Sequence, residues 1–354
     1  MTVCRALAAL LCLAAIPAWG GEPSPFAPPP IEKPSRVRVL AFADYFDTRT
    51  LVEFERASTV QVAYDSYEAP EAIAERLRDG PYDLLIMPGP ELAREISAGA
   101  LQKFDRAKAP NAARIAPALA AKLAAYDRAG SFGLAYAWFA TGLLYDADKA
   151  PARLGAPPSS WSALFAPEQS RKLFDCGIAA PDARDDFLVA AWRYAGVDPA
   201  KAAAPDIKRA VDVVLRAKMG VRAFGASDIA GSLAAGSACL AMGSQGEAEL
   251  ATARAATSGE KRDIRFAIPR EGGPMSLDAL AIPKDAPNVA MAYALADFLL
   301  RPDIAARNAK AAGVISGEIA AADELMRRLW PTGALAPGLA AVADKEWARL
   351  RAAK

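Results

Sequence analysis

Apolar and polar positions along the chain follow two periods. Short runs rich in branched and aromatic residues predict strands at 36–42 (RVRVLAF), 60–64, 82–87 (YDLLIM), 132–138, 141–145 and 264–268. Between them, apolar residues at helical spacing predict helices over 70–79, 111–126, 185–194, 207–218 and 289–300. Strand and helix alternating through short loops imply an α/β fold on a parallel sheet. In two stretches, 132–145 (FGLAYAWFATGLLY) and 265–282 (RFAIPREGGPMSLDALAI), one strand ends and another begins within a few residues. Paired extended crossovers of this kind suit a two-lobed protein that closes about a hinge.

The N-terminus departs from both periods. Residues 1–20 (MTVCRALAALLCLAAIPAWG) carry Arg5, an apolar run over 6–16, the breaker Pro17 and small residues at Ala18 and Gly20. That is the pattern of a secretory signal peptide, and the run is too short to span a bilayer. A proline-rich linker, 21–35, follows. The chain is therefore expected in the periplasm, without a membrane span. Cys4 and Cys12 leave with the signal, so Cys176 and Cys239 remain as one even pair. In an exported protein such a pair reads as a disulfide, with two buried thiols as the alternative. Bridged, the loop of 63 residues would be closed at a gain of about 4 kcal/mol.

Composition narrows the chemistry. The chain has 354 residues, 53% hydrophobic and 23% charged, enough for two ordinary domains. A net charge of +1 offers no field for nucleic acid or an anionic membrane. No histidine occurs, which removes Ser-His-Asp and Cys-His triads, an imidazole base and histidine metal sites. Neither a phosphate-cradling GxxxxGK[ST] loop, nor an SxxK motif, nor an Asp-rich calcium loop is present. No cofactor and no metal is expected.

Several collinear stretches carry a resemblance: ADYFD at 43–47, YDLLIMP at 82–88, YAWFATGLLYD at 136–146 and SWSALFAPE at 160–168. Further on come CGIAAPDARDDF at 176–187, VRAFGASDIAGSLAAGSACLAMG at 221–243, FAIPREGGPMSLDALAIP at 266–283 and FLLRPDIA at 298–305. On these the chain resembles the periplasmic polyamine-binding proteins of bacterial ABC importers, the putrescine- and spermidine-binding type. The resemblance implies a type II periplasmic-binding fold, two α/β lobes with the ligand in the cleft between them. Lobe 1 is expected over 36–139 and 270–303, lobe 2 over 140–269 and 304–354. It also implies the Cys176–Cys239 disulfide, a small cationic amine as ligand and ABC permease subunits as partners. The protein is expected to act as a monomer.

A diamine is two ammonium groups on an apolar linker. Burying it requires a carboxylate at each end and favours aromatic walls along the linker. Asp44 stands at the carboxyl edge of the first strand, where open α/β sheets take ligands. Asp182 and Asp186 are four apart and share a face if the segment is already helical. Matched to the resembled family, Asp186 falls on a helical glutamate, with Asp185 an adjacent alternative. Glu247 falls on a ligand aspartate, and Asp278 on an acid of the second crossover. Asp278 also lies among Leu277, Ala279 and Leu280, a poor place for an idle charge. Phe42 and Tyr45 stand for two of the family's aromatic walls, whereas Ser244, Ser276 and Val314 replace others, and Pro88 replaces a serine. The charged half of the pattern is thus kept while the apolar half is eroded, which predicts a wider, wetter pocket. Trp138, Trp161 and Trp330 are further candidates for the cleft, the first two fitting core positions better. The alternatives are the same fold retuned to an amino acid, an opine-like compound or an anion, an exported enzyme, or a binding-dead partner of a sensor.

Overall fold

The computed structural model describes residues 35–218, 220–317 and 323–353. The expected signal peptide and residues 21–34 of the linker lie outside the described residues.

The strands are β1 (Arg36–Phe42), β2 (Gln61–Tyr67), β3 (Leu84–Pro88), β4 (Gly133–Asp146), β5 (Ile178–Ala180), β6 (Ala223–Phe224), β7 (Leu240–Ser244), β8 (Ile264–Ala267), β9 (Gly273–Ala281), β10 (Ile315–Ser316) and β11 (Leu329–Pro331). Their order is β2-β1-β3-β9-β4-β7-β5-β6, with β8 and β10 paired to β4 and β11 to β9. The sheet is mixed, not parallel throughout. β1 runs parallel to β2 and β3, and β5 parallel to β6 and β7, but β9 and β4 join these two blocks through antiparallel ladders. The near-continuous apolar runs of β1, β3 and β5 suit strands covered on both faces.

The first expected crossover is one uninterrupted strand of 14 residues, β4, rather than two strands separated by a short break. Leu134, Tyr136 and Trp138 from its first half pack into one core with Val39, Ile86 and Leu280. Leu143 and Tyr145 from its second half pack into another with Ile178, Phe187 and Leu240. A smaller cluster around Leu144, Ile229 and Leu233 adjoins it. The chain crosses again between β8 and β9. After β9, Ile304, Met326 and Leu329 stay with the first core, while Trp347 and Leu350 of the helix Pro337–Ala352 join the second.

The helix expected over 70–79 is broken into 3-10 and α turns, and that over 111–126 keeps its α-helix only at Pro117–Leu123. Prolines at Pro70, Pro110 and Pro117 each open a turn, since proline fixes φ and lacks the donor that would continue the one before. Trp138 and Trp161 are core residues, and Trp330 packs against the second core. The Cys176–Cys239 disulfide bridges residues just ahead of the neighbouring strands β5 and β7, with Cα atoms 5.5 Å apart. Among the described residues, no helix is long and apolar enough to cross a membrane.

Candidate functional site

Where the two blocks of sheet meet, β4 passes between β9 and β7. Phe139 is paired with Ser276 on one side and Thr141 with Ser244 on the other. A cleft of about 920 Å³ opens above these pairs, lined by the carboxyl ends of β1 and β3 and the starts of the helices Gly89–Ser97 and Gln245–Thr257. Strand ends and helix starts converge here because every parallel strand of a block delivers its loop to the same edge.

Phe42, Asp44, Tyr45, Glu247 and Asp278 all line this cleft. Asp44 is exposed and takes a left-handed backbone, φ 57°, which aspartate tolerates better than most residues but at a cost of about 1 kcal/mol. The turn aims it off the end of β1 instead of continuing the strand. Asp278 is 9% exposed and accepts a hydrogen bond from the Tyr45 hydroxyl at 2.5 Å. Burial raises its carboxyl to about 6, the tyrosine bond pulling it down and Glu91 pushing it up. Tyr45 is held protonated, first by its own burial and then by the charge of Asp278.

Asp186 lies in an adjoining recess of about 820 Å³, which shares Glu71, Arg184, Asp185 and Thr332 with the main cleft. Its carboxylate accepts from the Thr141 hydroxyl at 2.7 Å and is also raised to about 6, chiefly by burial. Glu247 closes a capping box: Ser244 N donates to its carboxylate at 2.7 Å, and its own backbone N–H returns to the Ser244 hydroxyl at 3.4 Å. The serine standing where the resembled family has an aromatic thus has a structural task, starting that helix.

Asp182 falls elsewhere. The helix that carries Asp186 begins at Arg184, so the two acids do not share a helical face. Asp182 is exposed, accepts from the Trp347 indole at 2.8 Å and pairs with Arg351 at 2.8 Å, tying down the C-terminal helix.

Among the lining residues that the sequence reading did not single out are Glu91, Tyr67, Tyr126 and Phe139. Tyr126 reaches the cleft because Gly89 leaves room; a Cβ there would stand 2.1 Å from its ring. The PGP stretch at 88–90 therefore admits an aromatic wall contributed from elsewhere in the chain. Ser244, Ser276 and Val314 line the cleft as well, so tyrosine and phenylalanine from other elements supply the apolar side that those positions lack.

Acids outnumber bases. Asp44, Glu71, Glu91, Asp185, Glu247 and Asp278 line the main cleft against Arg94 and Arg184. Both arginines are already engaged, Arg94 with Glu91 at 2.6 Å and Arg184 with Asp185 at 2.5 Å and with Asp344. Among the described residues, no lysine or arginine pairs with Asp44, Asp186, Glu247 or Asp278.

Two cores joined by crossing strands, with an acid-rich cleft at the junction, define the class of two-lobed solute-binding proteins with the type II periplasmic-binding fold. The chain belongs to the bacterial extracellular solute-binding proteins, whose family pattern matches residues 51–325. It is 32% identical over 275 residues to the putrescine-binding periplasmic protein PotF of Escherichia coli, covering 76% of this chain and 74% of that one. It is 30% identical over 338 residues to the putrescine-binding periplasmic protein SpuD of Pseudomonas aeruginosa, covering 90% and 92%. Among solved structures, the spermidine/putrescine substrate-binding protein PotD of Streptococcus pneumoniae superposes with a TM-score of 0.77 over 90% of this chain and 98% of that one, at 19% identity.

Proposed function

We propose that this protein captures a polyamine or a related cationic amine outside the cytoplasm and delivers it to the permease of an ABC importer. One observation carries the reading. Asp44, Asp186, Glu247 and Asp278 face one cleft and its recess, no lysine or arginine among the described residues is ion-paired to any of them, and the counter-charge is the ligand's. A buried carboxylate without a counter-charge is costly, so a cleft that holds Asp278 in that state beside further acids is organised for cations that arrive from solution. The aromatic rings of Phe42, Tyr45, Tyr67, Tyr126 and Phe139 supply walls for an alkyl chain and attract its charged ends.

Asp278, hydrogen-bonded to Tyr45, takes one ammonium end; Asp186 and Glu247 face the other; Asp44 closes over the chain from the β1 turn. Asp182 serves the C-terminal helix and stands outside the ligand set. The lobes divide at the crossovers, 36–139 with 270–303 and 140–269 with 304–354, although Ile304, Met326 and Leu329 pack on the first core. The action is ligand-driven closure of a monomer about β4 and the β8–β9 connection, with no covalent step. The N-terminal 20 residues direct export to the periplasm and are removed. An anionic ligand would need free basic groups in the cleft, and both arginines there are ion-paired.

Calorimetry on ligand-free protein with putrescine, cadaverine, spermidine, spermine, agmatine and the basic amino acids tests the reading. Micromolar binding of at least one amine is expected, about −8 kcal/mol. A folded protein indifferent to the whole panel would refute it.

A further inference from the structure

Glu91 adds a further buried acid to the wall of the cleft that carries Asp278. It sits in the first turn of the helix Gly89–Ser97, three residues past Pro88, the position directly opposite Asp278 in the β3–β9 ladder. It lines the cleft with its side chain only 8% exposed. Asp278 and Tyr67 line the same cleft, so the two carboxylates look onto one volume. Its cationic neighbour, Arg94, is one turn along the same helix, 2.6 Å away, with a side chain 51% exposed.

That asymmetry is informative. An acid that only complements a helix N-terminus works from an exposed position and has no need of burial. Glu91 is buried toward the cleft, and burial pushes its carboxyl up despite Arg94. Its partner meanwhile stands half in water, where an ion pair is weakly held and readily exchanged. A guanidinium is also a fair likeness of a ligand's cationic head, and here it occupies an acceptor that such a head could use.

Building on the cationic-amine reading, we propose that Glu91 is a ligand-contacting specificity residue and that Arg94 is its resident counter-ion, displaced to solvent when the amine enters. Asp278 and Glu91 then grip one cationic head from two sides. The entering cation competes with an internal one, which disfavours weakly charged or poorly placed ligands.

The test is calorimetric titration with putrescine and agmatine of the wild type, Glu91→Gln, Arg94→Gln and the double variant. Thermal melts of the ligand-free proteins verify folding. Glu91→Gln, nearly isosteric, should weaken binding roughly tenfold, the loss of one charge-assisted contact. Arg94→Gln, at a half-exposed position, should tighten binding up to about fivefold, and that gain should vanish in the double variant. Unchanged affinity in Glu91→Gln would overturn the contact. Weaker binding in Arg94→Gln would overturn the displacement, because Arg94 would then be positioning Glu91. Should the wild type bind neither of these two, the same four proteins are titrated with whichever amine of the panel it does bind, and a wild type that binds none of the panel would instead refute the amine reading itself. If Asp278→Asn loses affinity while Glu91→Gln does not, that reading stands and this one falls.

Discussion

The two walls of the cleft hold their acids differently. On the wall built from the first core, Asp278 lies within a central strand, fixed by a buried tyrosine hydroxyl and with no cation beside it. On the wall built from the second core, Glu247 already satisfies the start of a helix and Asp185 already pairs with Arg184. Only Asp186 there resembles Asp278, with Thr141 of β4 in the part of Tyr45. Acids with a neutral donor and no counter-ion are poised for a ligand, whereas acids with prior structural partners can give only part of their acceptor capacity. One end of the ligand should therefore be gripped rigidly and the other more permissively, so that ligand length varies at the second wall.

The largest effect expected from this contrast is Asp278→Asn. It removes the charge while keeping the shape and the acceptor for Tyr45. Amine affinity should fall by about 2–3 kcal/mol, roughly 30- to 150-fold, in calorimetry. An equally large loss from Glu247→Gln would erase the distinction between the walls.

Protons test the same contrast. Asp278 and Asp186 both have carboxyls raised to about 6 in the folded protein, well above an unfolded aspartate. Between pH 4 and 6 the folded state therefore binds more protons than the unfolded one, and stability falls as pH rises. Lowering pH from 7 to 5 should stabilise the empty protein by about 1 kcal/mol for each of the two groups. On the proposed function both carboxylates bind the amine ionised, so affinity should weaken as pH drops through 6, up to about tenfold per unit for each proton displaced. Melting curves and calorimetry across pH 5–8 should thus move in opposite directions. In Asp278→Asn, half of each trend should disappear.

Glu247→Gln comes next in size. The amide still accepts at the capping box but without charge, so helix stability should drop by about 0.5–1 kcal/mol in denaturant unfolding. Amine affinity should fall only a few-fold, the permissive wall losing one of several acceptors.

Much of this was legible in the chain itself, for reasons that differ residue by residue. Asp44 could be placed because a strand of alternating branched residues ends two positions before it and strand ends face the ligand edge. Asp278 could be singled out because a charge amid Leu277, Ala279 and Leu280 has no solvent to face. The crossovers were visible as apolar runs, but not that β4 is continuous, since the run was expected to break at residues 139 and 140, between strands 132–138 and 141–145. Residues 139–142 stay extended because β7 and β9 pair with them from either side, a tertiary effect. Tyr126, Tyr67 and Glu91 were hidden for the same kind of reason. Each reaches the cleft by packing between distant segments, as where Gly89 admits the ring of Tyr126, and the local pattern around each is that of an ordinary strand or helix. Ser244 and Ser276, expected at the cleft from the matched positions, do line it, while the rings that line it besides Phe42 and Tyr45 come from elements that position-by-position matching does not consult.

Asp182 gives the smallest predicted effect on binding and so tests the boundary of the site. Spacing suggests a face shared with Asp186, but helix geometry starts two residues too late, and the carboxylate turns to Trp347 and Arg351. Arg351 is 60% exposed, so that ion pair adds little. Asp182→Asn retains an acceptor for the indole and should change stability by less than about 0.5 kcal/mol. Asp182→Ala loses the acceptor, leaves the Trp347 N–H without its protein partner, and should cost about 1 kcal/mol, read as loosening of the C-terminal helix in hydrogen exchange. Neither variant should move amine affinity by more than about twofold, because the pocket keeps all the acids that face it. A tenfold loss in Asp182→Asn, with the helix still protected, would mean that Asp182 swings into the cleft when the lobes close. The second wall would then grip its end of the ligand as firmly as the first.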